Sequence, residues 1–129
     1  MLITVLAGIL AAFLALIINP FSFKHFGQKA IGQLIPLTEE VLKTGLAWLL
    51  GANLLGTHSV FGIIEFFWDL FQPGRGQWLP GFTGFLSHLF FGFITQWIYQ
   101  MTTNLLLGMI VGTAFHVGFN QLILSIKKN

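Results

Sequence analysis

The first eighteen residues read MLITVLAGILAAFLALII (Met1–Ile18), an apolar run without one charged side chain. At about 1.5 Å per residue such a run reaches roughly 27 Å as a helix, close to the hydrocarbon thickness of a bilayer. It is not patterned as a secretory leader. No Lys or Arg precedes it, and Asn19-Pro20-Phe21 does not resemble a small-residue cleavage site. The run is expected as a retained first membrane span, roughly Leu2–Ile18, ended by Asn19-Pro20.

The rest of the chain repeats this character. Of 129 residues, 55% are hydrophobic and 8% charged, and the mean hydropathy is +0.82. A soluble domain carries about 25% charged residues, so the lipid bilayer is expected to be the solvent for most of the surface. Further spans are expected at roughly Ile31–Leu50, Thr57–Gln72, Gly81–Tyr99 and Leu105–Ile126. Phe21–Gln33 reads as an interfacial segment, Pro73-Gly74-Arg75-Gly76 as a turn and Gln100–Asn104 as a polar hairpin. The expectation is an all-α, polytopic transmembrane helix bundle of about five spans, forming a single integral membrane domain over residues 1–129. Lys24, Lys29, Arg75, Lys127 and Lys128 then fall on one side, which puts the N-terminus outside and the C-terminus in the cytoplasm. The sequence contains no cysteine, which excludes disulfides, thiolate zinc sites and cysteine nucleophiles. A formal charge of +2 with no basic run argues for no nucleic acid partner.

All four acidic residues, Glu39, Glu40, Glu65 and Asp69, fall inside expected spans or at their ends, as do Lys43, His88 and His116. A charge at the bilayer centre costs about 2.5–3.5 kcal/mol on insertion scales, and an intramembrane ionisable residue is read first as functional. Measured from the cytoplasmic ends, Glu39 and Glu40 lie about 12–14 Å deep, Glu65 and His88 about 10 Å, His116 about 15 Å and Asn120 about 9 Å. Helices of alternating direction thus deliver polar groups to one layer. Glu39 and Lys43 share a helix face, as do Phe61, Glu65 and Asp69, and His116 and Asn120. Gly62, Gly84, Gly92, Gly108, Gly112 and Gly118 are expected where helices approach closely. Asp69 is expected at the interface, and His25 and His58 as incidental. Trp48, Trp68, Trp78 and Trp97 read as belt or packing residues.

Four groups recur in order: Glu39-Glu40-Val41-Leu42-Lys43 as E-E-x-x-K, Phe61-Gly62-Ile63-Ile64-Glu65 as F-x-x-x-E, His88–Gly92 as H-x-x-x-G, and His116–Asn120 as H-x-x-x-N. Together they resemble the motifs of the PrsW-type intramembrane proteases, relatives of the CAAX-prenyl-protease and bacteriocin-processing membrane proteins. The resemblance covers roughly residues 35–122. It implies hydrolysis of peptide bonds in a membrane-anchored protein or peptide substrate, in a prokaryotic cytoplasmic membrane. The catalytic candidates are Glu39, Glu40, His88 and His116, with Lys43, Glu65 and Asn120 supporting. Water attack on an amide needs a base, an oxyanion donor and an acid for the leaving amine. Glu40 is the expected base, and Lys43 is expected to hold Glu39. His88, His116 and Asn120 are candidate oxyanion donors or proton carriers. The cofactor is either none or zinc. A zinc site would use His88, His116 and Glu65 as three ligands with water as the fourth, although no H-E-x-x-H signature is present. Two other classes fit the same residues: a non-catalytic membrane scaffold or immunity-type protein with this bundle, and a small proton- or ion-conducting protein.

Overall fold

Pro20 does not end the first helix. The structure, a computed structural model describing residues 1–71 and 78–126, carries α1 unbroken over Leu2–Phe26 with Pro20 inside it. An interior proline removes one N–H and crowds the carbonyl four residues back, here that of Leu16. Apolar helices packed among others tolerate this, because neighbouring groups satisfy the freed carbonyl. The break falls instead at Gly27, whose φ of +57° is a left-handed conformation that glycine adopts without strain. Residues 21–26 are therefore the end of α1 and not a separate interfacial segment.

One π-helical turn, Ala30–Leu34, leads directly into α2, Ile35–Leu49. Pro36 accounts for it. Residue 36 has no N–H to bond the Gly32 carbonyl, and the Ile35 N–H reaches back five residues to the Ala30 carbonyl. The remaining helices are α3, Leu54–Phe71, α4, Trp78–Thr102, and α5, Leu105–Ile126. Among the described residues there is no strand, so the fold is all-α. Two side chains cap the helices that follow tight turns. Asn53 Oδ1 accepts the Gly56 N–H at 2.7 Å, and Asn104 Oδ1 accepts the Leu107 N–H at 3.0 Å. The expected turn at Pro73-Gly74-Arg75-Gly76 and the Lys127 and Lys128 tail lie outside the described residues.

α1 packs on α2 and α3, α3 packs on α4, α4 packs on α5, and α2 touches α1, α3 and α5. The interior is small and polar. Ala7, Ala11, Ala12, Ala15, Ala30 and Ala47 are buried, and so are Glu39, Glu40, Lys43, His58, His88 and His116. Bulky apolar side chains such as Leu6, Phe13, Ile17, Phe67, Leu106 and Ile110 face outward. A water-soluble domain shows the reverse, with bulky apolar residues inside and Lys and Glu almost never fully buried. α1, α3 and α5 are each long and apolar enough, by length and composition, to cross a membrane. These features suggest a membrane protein. α2 is 15 residues long and carries three charges, and α4 is interrupted by Ser87, His88, Thr95 and Gln96, so neither joins that set.

Not every expected glycine lies at a helix contact. A Cβ on Gly108 would sit 2.7 Å from the Thr95 carbonyl oxygen across the α4–α5 interface, whereas Gly84 and Gly118 have nothing within 4 Å of that position. Gly108→Ala is expected to destabilise the bundle by about 1–3 kcal/mol, because the obstruction is backbone and cannot swing away. Gly118→Ala is expected to be neutral or to add up to about 1 kcal/mol through helix propensity. Unfolding of both variants in bicelles checks this, and equal effects would contradict the α4–α5 packing.

Candidate functional site

α2 brings Glu39, Glu40 and Lys43 to its buried face. The Lys43 ammonium is fully enclosed. It donates to Glu40 Oε1 at 2.7 Å and to His88 Nδ1 at 2.9 Å, and lies 4.6 Å from the centroid of the Phe61 ring. An ammonium has no lone pair, so His88 Nδ1 must be the acceptor. The His88 proton is therefore on Nε2, which donates to Glu65 Oε2. α2, α3 and α4 are thus tied by the string Glu40–Lys43–His88–Glu65.

A second string runs through α5. The His116 Nδ1–H donates to Glu40 Oε1 at 3.0 Å, leaving Nε2 at 3.8 Å from Glu39 Oε2. The His116 ring stacks on Phe91 at 4.6 Å, and Phe61 meets His88 edge-on at 5.0 Å. Each imidazole is thereby held in place by an aromatic ring as well as by its hydrogen bonds. Glu39 Oε1 accepts from Asn19 Nδ2 at 2.7 Å.

Glu39 and Glu65 both line a small cavity between α1, α2 and α3, together with Asn19, Ala12, Ala15 and Phe61. Its volume of about 20 Å³ has room for about one water molecule. Asn19 Oδ1 is buried and has no hydrogen-bond partner among the described residues, so a polar acceptor also belongs to that wall.

Six of the seven expected site residues therefore meet: Glu39, Glu40, Lys43, Glu65, His88 and His116. Asn120 is not with them. Its Nδ2 donates to the Ile31 carbonyl at 3.0 Å, satisfying an oxygen of the π-helical turn. Two members of the site were missed in the sequence. Asn19 was read as a helix end, though a polar amide inside an apolar run was itself the signal. His58, read as incidental, is fully buried with its Nδ1 3.8 Å from Glu40 Oε2.

A metal ion could be held by Glu39, His88 and His116, each of which offers one ligand atom, all within 4.8 Å of one another. This set takes Glu39 where the sequence suggested Glu65. The donors fit unevenly. His116 is built like a metal ligand, with Nδ1–H on a carboxylate and Nε2 open. His88 is not, because Lys43 occupies Nδ1 and Nε2 carries the proton given to Glu65. It can ligate a metal only by giving up one of those bonds. The donor set is better matched to a hydrogen-bonded acid–base cluster than to zinc. No family model matches the chain, and no curated protein or solved structure matches it.

Proposed function

We propose that this protein is an intramembrane hydrolase that cleaves peptide bonds of membrane-anchored substrates, with Glu39 and Glu65 as its acid–base pair. One observation carries the reading: two carboxylates from different helices, each beside a histidine, line one water-sized cavity. Glu39 takes a proton as the water oxygen attacks the substrate carbonyl carbon. The second Asn19 N–H is available to the oxyanion that forms. Glu65, in its protonated form, gives a proton to the leaving amine as the C–N bond breaks. Lys43 and Glu40 hold the two histidines. Glu65, whose side chain is 35% exposed, gives this cavity its open edge. The resemblance to PrsW-type proteases supports the class of reaction, while the role of base expected for Glu40 passes in this reading to Glu39.

The test is cleavage of a panel of tagged single-span substrates in liposomes, by the intact protein and by Glu39→Gln, each with and without a chelator. Cleavage that needs Glu39 and ignores the chelator is expected. Chelator sensitivity would move the chemistry to a metal held by Glu39, His88 and His116. No cleavage by the inserted protein across a broad panel would favour the scaffold or immunity-type reading.

The reading includes five spans with the N-terminus outside, in a prokaryotic cytoplasmic membrane. α1 to α5 then alternate in direction, and His25 and Thr102 lie at opposite faces. Both are exposed, and the absence of cysteine makes single-cysteine labelling clean. Thr102→Cys is expected to react with an impermeant maleimide on intact cells. His25→Cys is expected to react only after permeabilisation, and the reverse pattern would invert the topology.

A further inference from the structure

On the side of Glu40 away from Lys43, three polar atoms converge with nothing to bond. Glu40 Oε2, His58 Nδ1 and Thr95 Oγ1 each lack a hydrogen-bond partner among the described residues. Their side chains are completely enclosed. They come from α2, α3 and α4. Glu40 Oε2 and His58 Nδ1 are 3.8 Å apart, too far for a direct hydrogen bond. The α5 backbone approaches them closely. A Cβ on Gly112 would fall 2.2 Å from Thr95 Oγ1 and 3.5 Å from Glu40 Oε2, so both oxygens close on the same bare stretch of α5 backbone and only a glycine fits there. On the far side, a Cβ on Gly92 would fall 3.2 Å from His58 Nδ1. Buried polar groups in native folds are almost always bonded, and an enclosed water typically satisfies about three that would otherwise be orphaned.

We propose that Glu40 Oε2, His58 Nδ1 and Thr95 Oγ1 form a closed three-point site that binds a single water molecule where α2, α3, α4 and α5 meet. The occupant is neutral. Lys43 already sits 2.7 Å from the other oxygen of the same carboxylate, so a second cation is repelled, and the carboxylate repels an anion. It is also small, because all three side chains are completely enclosed and two of the atoms are only 3.8 Å apart. Water has the right valence: it accepts from the His58 Nδ1–H, donates to Glu40 Oε2 and bonds the Thr95 hydroxyl. The proton on Nδ1 leaves His58 Nε2 as the acceptor of the Thr44 hydroxyl, 3.3 Å away. His58 thus becomes a positioning residue for Glu40, and through Glu40 for His116. This site is separate from the cavity at Glu39, and its test needs no substrate, so it stands or falls independently of the hydrolase reading.

The experiment is water-edited solid-state NMR of the full ¹³C,¹⁵N-labelled chain in lipid bilayers. Magnetisation transfer from water to the His58 Nδ1 proton is expected, with His58 as the Nδ1–H tautomer. Thr95→Ser keeps the hydroxyl and is expected to keep the transfer. Thr95→Val is expected to reduce it several-fold. Absence of transfer to His58 in the folded parent overturns the site, and so does transfer that Thr95→Val leaves unchanged. If Thr95→Val does not fold, the parent and Thr95→Ser spectra decide: transfer and the Nδ1–H tautomer in both support the site, and their absence from either refutes it.

Discussion

Lys43→Met is expected to destabilise the protein by about 3–5 kcal/mol, the usual effect of removing one partner from a buried ion pair. Lys43 and Glu40 have no exposed side-chain surface, and their contact is 2.7 Å. Without the ammonium Glu40 Oε1 keeps only His116, and His88 Nδ1 loses its donor. Methionine fills most of the lysine volume, so the loss reflects charge and hydrogen bonding and not a cavity. The double variant Lys43→Met/Glu40→Gln should recover much of the stability, since it leaves no unpaired buried charge. Unfolding equilibria of the two single variants and the double variant in bicelles give the coupling. Additive effects would mean that the two residues do not share the enclosed contact described here. Lys43→Arg is not a mild control: a planar guanidinium cannot reproduce a compact donor aimed at Glu40, His88 and the Phe61 face together.

The helices and the site were not equally legible in the sequence. Residues 105–126 are bounded correctly because the polar run Gln100–Asn104 interrupts the apolar pattern just before them. Residues 2–26 were cut short because proline was weighted as a breaker, as it is in water. In an apolar bundle the helix has no solvent to give its backbone to, and it continues. Residue depth along the helices puts Glu39, Glu40, Glu65, His88 and His116 in one layer, and the structure joins them. Depth along a helix follows from counting residues, so this was within reach. Rotation about the axis does not follow in the same way. His116 and Asn120 are one turn apart, yet His116 faces Glu40 while Asn120 faces the π-helical turn. Asn19 stands out in the sequence as a polar amide in an apolar run, but its partner does not, because Glu39 is twenty positions away on α2 and only the packing of α1 on α2 brings them together.

Glu39→Gln is expected to lower the cleavage rate by about 10²–10⁴-fold, the range for loss of a general acid or base, while leaving the fold nearly intact. The glutamine carbonyl can still accept from Asn19, and the Lys43–Glu40 pair is untouched. Glu65→Gln should behave alike in rate, since its side chain is 35% exposed and carries one hydrogen bond to His88. Glu40→Gln is expected to differ in kind. Glu40 Oε1 is already bonded to Lys43 and His116, and its carboxylate does not line the cavity, so it is poorly placed to take a proton from water there. Its replacement strands a buried ammonium, so stability and activity should fall together. Rates for the three variants, measured beside their unfolding midpoints, separate the roles. A Glu40→Gln protein that is as stable as the parent but inactive, paired with an active Glu39→Gln, would return the base to Glu40 and remove Glu39 from the chemistry.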